Sequence, residues 1–197
     1  RYISPRISGF QIGMDYSPEA TQDDDGFPTE ASNNGVNPEN VWSVAANYMG
    51  DFDGFKLQAS AGFQGIGDGN GVTGQDPYNF GLGLRLGVGG FTLSGSWTHE
   101  NDFGGAIEDR DVFGGAVSYK DGPMRVGLDV AYGMQTYVAA GAPDTKQVSV
   151  QLGGTYVLGP GVEARGSIYY ADQQDGNGTA GNDANGFAVV GGLRLVF

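Results

Sequence analysis

Apolar and polar residues alternate with a period of two along almost the whole chain. In "GFQIGMDYS", Phe10, Ile12, Met14 and Tyr16 fall on one side and Gln11, Gly13, Asp15 and Ser17 on the other, the pattern of a strand with one dry face. "VWSVAANYM" groups Trp42, Val44, Ala46 and Tyr48, and "FKLQASAGFQ" groups Phe55, Leu57, Ala59, Ala61 and Phe63. "YNFGLGLRLGV" sets Tyr78, Phe80, Leu82, Leu84, Leu86 and Val88 against Asn79, Gly81, Gly83, Arg85 and Gly87. The same design continues through Phe91, Leu93 and Trp97; Phe113, Val117 and Tyr119; Met124 to Met134; Val148 to Leu158; Val162 to Tyr170; and Phe187 to Phe197. This predicts an all-β chain of about ten strands of roughly 9–11 residues, the length that crosses a bilayer when tilted. Soluble strands average nearer five or six residues.

The connections between these strands are expected to alternate in length. "PRIS", "GDFDG", "GG", "DGP" and "GPG" are short, whereas the stretches around 18–39, 65–77, 100–110, 136–146 and 172–185 are long. All short turns then fall at one end of the sheet and all long loops at the other, the asymmetry of an outer-membrane barrel with short periplasmic turns and long extracellular loops. In lipid an unpaired backbone group costs several kcal/mol, so strands cross only as a closed barrel. The apolar face must therefore point outward and the polar face inward.

The distribution of charge agrees with that assignment. Lys56, Arg85, Arg125, Arg165 and Arg194 all share the parity of the polar face, together with Asp129 and Glu163, while the middle of the apolar face carries no charge. Aromatic residues cluster near strand ends, as an interfacial girdle requires. Tyr16, Trp42, Tyr78, Trp97, Tyr132 and Tyr170 stand at the long-loop end, with Phe55, Phe91 and Tyr156 at the short-turn end. A soluble sandwich or lipocalin-like barrel would have to hold Arg and Lys inside and display Leu and Phe outside.

Composition narrows the chemistry. The 37 glycines come without a collagen period, and there is no cysteine to form a disulfide or a thiolate site. A net charge of -13 argues against a nucleic-acid partner. The mean hydropathy of -0.27 averages over two opposite faces. Enzyme readings lack parts: His99 is the one histidine, and Ser96, its nearest nucleophilic partner, has the opposite parity. Asp68 and Asp175, in Asp/Gly/Asn-rich loops, are candidate calcium ligands without the spacing of an EF-hand. The acidic excess falls chiefly in the long connections, from Glu19 and Asp23 to Asp25 through Glu100, Asp102, Glu108 and Asp109 to Asp183. Such a mouth is expected to concentrate cations at low salt and lose the effect as screening rises.

The whole chain resembles the C-terminal portion of a Gram-negative general diffusion porin of the alphaproteobacterial type, in "RYISPRISGFQIGMDYSP" and in the terminal "GGLRLVF". The resemblance implies one transmembrane β-barrel domain over residues 1–197, an antiparallel barrel with about ten strands here of sixteen. It places the N-terminal strands and the constriction loop upstream of "RYIS". It further implies a homotrimer, contact with the lipid bilayer and lipopolysaccharide, and passive diffusion of ions and small hydrophilic solutes. From the residues no enzyme activity is expected and no cofactor, with structural calcium in the extracellular loops as the one candidate. Leu193, Leu195 and Phe197 would form the signal read by the barrel-assembly machinery. The basic residues of the polar face would oppose acidic residues of the constriction loop. The rival function is an outer-membrane barrel that anchors a surface layer, lipopolysaccharide or another envelope partner.

Overall fold

The computed structural model describes residues 1–19, 39–68, 77–104, 107–138, 144–174 and 183–195. Eleven strands form one antiparallel sheet in strict chain order: β1 (Tyr2–Ile3), β2 (Phe10–Glu19), β3 (Glu39–Phe52), β4 (Phe55–Asp68), β5 (Tyr78–Val88), β6 (Phe91–Gly104), β7 (Ile107–Asp121), β8 (Met124–Tyr137), β9 (Thr145–Gly159), β10 (Val162–Gln174) and β11 (Ala184–Leu195). Ten of these are the strands that the alternation predicts, and β1 is the short stub at "RYIS". Among the described residues β1 and β11 remain the open edges of the sheet.

Register keeps the two faces separate at every seam. Leu82 stands opposite Ala61 and Trp97, and Leu128 stands opposite Val117 and Leu152. The line continues from Leu152 to Ile168 and from Ile168 to Val189. A slip of one residue would carry every apolar side chain to the polar face, so the alternation itself fixes the pairing. Apolar side chains nonetheless stay uncovered: Leu84 is 56% exposed and Ile168 53%, and among the described residues only Ile66 counts as a buried hydrophobe. Among the described residues no second layer of structure packs on this sheet, so its apolar face has to be covered by something other than them. In an outer-membrane barrel that cover is lipid.

Four hairpins close at one end through two-residue turns, each with a glycine in the left-handed region: Gly54 (φ 91°), Gly89 (φ 57°), Gly122 (φ 51°) and Gly161 (φ 72°). A Cβ on Gly89 would meet nothing within 4 Å, so a substitution there costs only backbone strain. Gly89→Ala is accordingly expected to lower stability by about 1 kcal/mol, measured as a shift of the urea midpoint of the folded protein. Elsewhere glycine makes room for rings: a Cβ on Gly65 would come within 2.8 Å of the Trp42 indole, and one on Gly90 within 2.7 Å of the Tyr119 ring.

One connection differs from the expected pattern. The stretch around 100–110 is not a long loop, because β6 runs to Gly104 and β7 resumes at Ile107. Glu100 pairs with Arg110 and Asn101 with Asp109, so these polar residues belong to the ladder. Backbone pairing continues there after the apolar half of the alternation has stopped, and hydropathy alone does not register it. The loops at 20–38, 69–76, 139–143 and 175–182, with Asp23 to Asp25 and Asp175, lie outside the described residues, as do the side chain of Asp68 and Phe197.

The aromatic residues form ring contacts near both ends of the apolar face. Trp42 and Phe63 lie 5.2 Å apart by ring centroid, Phe63 and Tyr78 5.7 Å, Phe80 and Trp97 4.7 Å, and Trp97 and Phe113 6.0 Å. At the turn end Phe52 stacks on Phe55 at 4.7 Å and Phe91 packs against Tyr119 at 4.6 Å. Tyr16, Tyr156 and Tyr170 are exposed on the same face. At the loop end the Trp97 indole N–H donates to Asp111 at 2.8 Å, and a His99 ring nitrogen lies 3.1 Å from the same carboxylate oxygen. A ring with an apolar body and a hydrogen-bonded tip suits the boundary between hydrocarbon and headgroups.

Candidate pore wall

The opposite face is polar because of the alternate residues of the same strands. Across the turn-end half, Gln58, Arg85, Ser94, Ala116, Asp129 and Gln151 stand opposite one another in sequence from β4 to β9. Nearer the turns, Lys120, Arg125, Thr155 and Arg165 form a second row over β7 to β10. Adjacent strands lie about 4.8 Å apart, so these side chains make a continuous surface. Asn47, Ser60, Arg85, Asp129, Gln151 and Tyr169, from six different strands, line one recess of about 720 Å³. Residues so far apart along the sheet share a recess only where the sheet curves around them, so the polar face is the concave one.

Charge on this face is partly compensated. Lys56 Nζ lies 3.4 Å from Asp51, and Glu163 holds Arg165 at 2.7 Å and Arg194 at 3.6 Å. At the loop end Arg110 pairs with Glu100 at 3.1 Å. Among the described residues Arg85, Lys120 and Arg125 have no acidic partner within salt-bridge distance. Lys120 and Arg125 stand directly opposite each other, an arrangement that like charges disfavour unless the space before them holds water and counter-ions. Asp129 sits in the same recess as Arg85, with no ion pair of its own among the described residues. The five basic residues singled out from the sequence thus occupy one face together with Asp129 and Glu163, some as ion pairs and some unpaired.

Three features of this wall escape the sequence reading. Lys120 has the polar parity of Ala116 and Ser118 and could have been found from it. The Glu100–Arg110 pair is hidden by the assignment of both residues to a loop. Arg6 lies outside any alternating segment, in the connection between β1 and β2, where it donates to the Gly9 carbonyl at 2.6 Å and to Gln11 Oε1 at 2.9 Å. Its guanidinium reaches Asn47 of β3 and lines the same recess as Arg85; no sequence pattern signals that position. Ser96 and His99 lie on opposite faces, Ser96 lining the recess and His99 in the outward aromatic band, so they form no catalytic pair.

The wall can do electrostatic and hydrogen-bonding work on passing solutes. Its polar groups are mostly exposed, and no group of three or more metal-ligating side chains converges among the described residues.

Comparison with known proteins places this architecture. A family model described as Gram-negative porin matches residues 1–176. An anion-selective porin from Comamonas acidovorans superposes with a TM-score of 0.64 at 20% identity, over 100% of this chain and 58% of that one. A loop-deletion mutant of OmpT, an outer membrane protein of Vibrio cholerae, superposes with a TM-score of 0.53 at 14% identity, over 94% of this chain and 74% of that one. The trimer form of the same protein gives a TM-score of 0.51 at 14% identity, over 94% and 76%. No curated protein sequence matches the chain.

Proposed function

We propose, since this chain belongs to the Gram-negative porin family, that its concave wall lines a water-filled channel through which ions and small hydrophilic solutes diffuse passively across the bacterial outer membrane. The observation that carries this reading is the division of one sheet into a concave charged face and an apolar face without charge through its middle. A lumen lined by Gly, Ser, Gln and paired ions is too small-chained and too wet to pack as a core, and it suits water. Discrimination among solutes then rests on pore width and wall charge, with no covalent chemistry.

The turns lie on the periplasmic side and the long loops outside, following the usual order in such barrels. The barrel closes through strands additional to the eleven described. Their open edges in lipid would leave unpaired backbone groups, and the chain spans 58% of the length of the Comamonas porin that it superposes on. We take residues 1–197 as one part of a single barrel domain and the assembly as a homotrimer, as one neighbour's trimer form suggests. Leu193 and Leu195 face outward at the turn end of β11, where an assembly signal would be read.

Planar-bilayer recording of the intact, detergent-extracted protein tests the proposal. Stepwise openings with ohmic current are expected. Silence from a sample shown to be folded and inserted would overturn the channel reading and favour the anchoring role.

A further inference from the structure

The loop end of the concave wall carries a feature that ion conduction does not require. Across β6 to β9, Arg110 Nη1 donates to Glu100 at 3.1 Å, while its Nε and Nη2 donate to Gln135 Oε1 at 3.3 and 3.1 Å. Gln135 Nε2 donates in turn to Tyr137 Oη at 3.0 Å, and that hydroxyl lies 2.8 Å from Thr145 Oγ1. One relay therefore fixes five polar side chains over four strands. Its only two charges cancel, and each end of Gln135 is committed, which also settles the orientation of its amide.

Beside this relay stand Gln147 and Gln173, directly opposite each other across the seam between β9 and β10. Neither makes a side-chain hydrogen bond among the described residues, and both line a recess of about 740 Å³ with Arg110, Gln135, Tyr137 and Thr145. Each carboxamide presents an acceptor and two donors at a fixed separation. Adjacent hydroxyls of a polyol can accept from the amide nitrogen and donate to its oxygen, and two neighbouring amides can hold two such pairs. Because the local charge is balanced, an ion gains little over a neutral solute here.

We infer that this recess is a weak binding site for neutral polyhydroxylated solutes, sugars, on the outer approach to the channel. Gln147 and Gln173 supply the unfilled hydrogen bonds, and the Arg110 relay forms a rigid floor. The inference rests on the channel reading and adds a solute class to it. Weak binding is what conduction tolerates, since a site must release what it captures. An amide exchanging water for a sugar hydroxyl gains little net free energy, which sets the affinity in the millimolar range.

The test uses the intact protein in planar bilayers in symmetric KCl, with glucose, maltose and sucrose added in turn. A saturable fall in current at millimolar sugar is expected. In channels of the Gln147→Ala/Gln173→Ala variant that still open, the half-saturating concentration should rise by about fivefold or more, as loss of two hydrogen bonds implies. A linear fall that tracks viscosity, or the same half-saturation in the variant, would overturn the site. Gluconate acting at the same concentration as glucose would overturn the assignment to neutral solutes. Absence of channels altogether would instead remove the channel reading. In that case isothermal titration of the detergent-solubilised protein with maltose still decides the site, which fails if wild type and variant give the same heats.

Discussion

Leu84→Arg is expected to destabilise the inserted protein by about 2–4 kcal/mol, while Ser149→Arg, on the other face, leaves insertion intact. Leu84 lies near the middle of β5, points to the apolar face and is 56% exposed between Ala59 and Gly95. Neither small neighbour can shield a guanidinium, so the charge would sit in hydrocarbon and could escape only by snorkelling along the strand. Ser149 stands opposite Ala131 on the concave face and lines the central recess. An arginine there meets water and has Asp129 nearby on the adjoining strand. The expected loss for Leu84→Arg corresponds to about 30- to 900-fold in the folded-to-unfolded ratio. Urea titration of the intact protein refolded into phospholipid vesicles, read by its electrophoretic shift, measures it. Equal losses from both substitutions, or a larger loss from Ser149→Arg, would reverse the assignment of faces.

That contrast rests on parity alone, and parity is the part of this molecule that the amino-acid sequence carries most openly. Residues from Tyr78 to Val88 have one possible period, and their partners on β4 and β6 have the same one, so strand identity, order and register follow together. The glycines at the turns mark the hairpins, because two-residue connections need backbone conformations that other residues resist. Legibility fades where the alternation loses its apolar member. Glu100, Asp109 and Arg110 lie in strands that extend past the aromatic band, where neither face needs to be dry, and polar residues on both faces look like a loop. The Arg110 relay is accordingly invisible to hydropathy although its members lie in register. Arg6 illustrates a second limit: its place beside Arg85 depends on how a six-residue connection folds back over β3, and three-dimensional proximity of that kind leaves no period. The ion pairs form a third case. Parity places Arg165 and Arg194 on one face, but only the three-dimensional arrangement shows that Glu163 compensates both while Arg125 has no acidic partner among the described residues.

Which basic residues are compensated decides where charge selectivity can be altered. Arg85→Gln combined with Arg125→Gln is expected to move the permeability ratio toward cations by about two- to fivefold. A monovalent ion passing at about 5 Å from one unpaired guanidinium interacts by about 0.8 kcal/mol in water, reduced to about 0.5 kcal/mol at 0.1 M salt. Removing that charge favours cations and disfavours anions by the same amount, so the ratio moves by both contributions. Arg85 and Arg125 sit in different rows of the wall, so a permeating ion meets them in succession and their effects do not multiply. In the proposed channel the acidic residues of the long connections would act in series with this wall and with the opposite sign. Salt separates the two: at 1 M the Debye length falls to about 3 Å, so an ion farther than that from the loop carboxylates would no longer sense them, whereas one passing close to the wall retains part of the interaction. The reversal potential of the intact protein in a tenfold KCl gradient should therefore differ between wild type and the double variant at high as well as low mean salt. A difference confined to low salt would assign selectivity to the mouth, and an unchanged potential at both would show that Arg85 and Arg125 do not face the path of the ions.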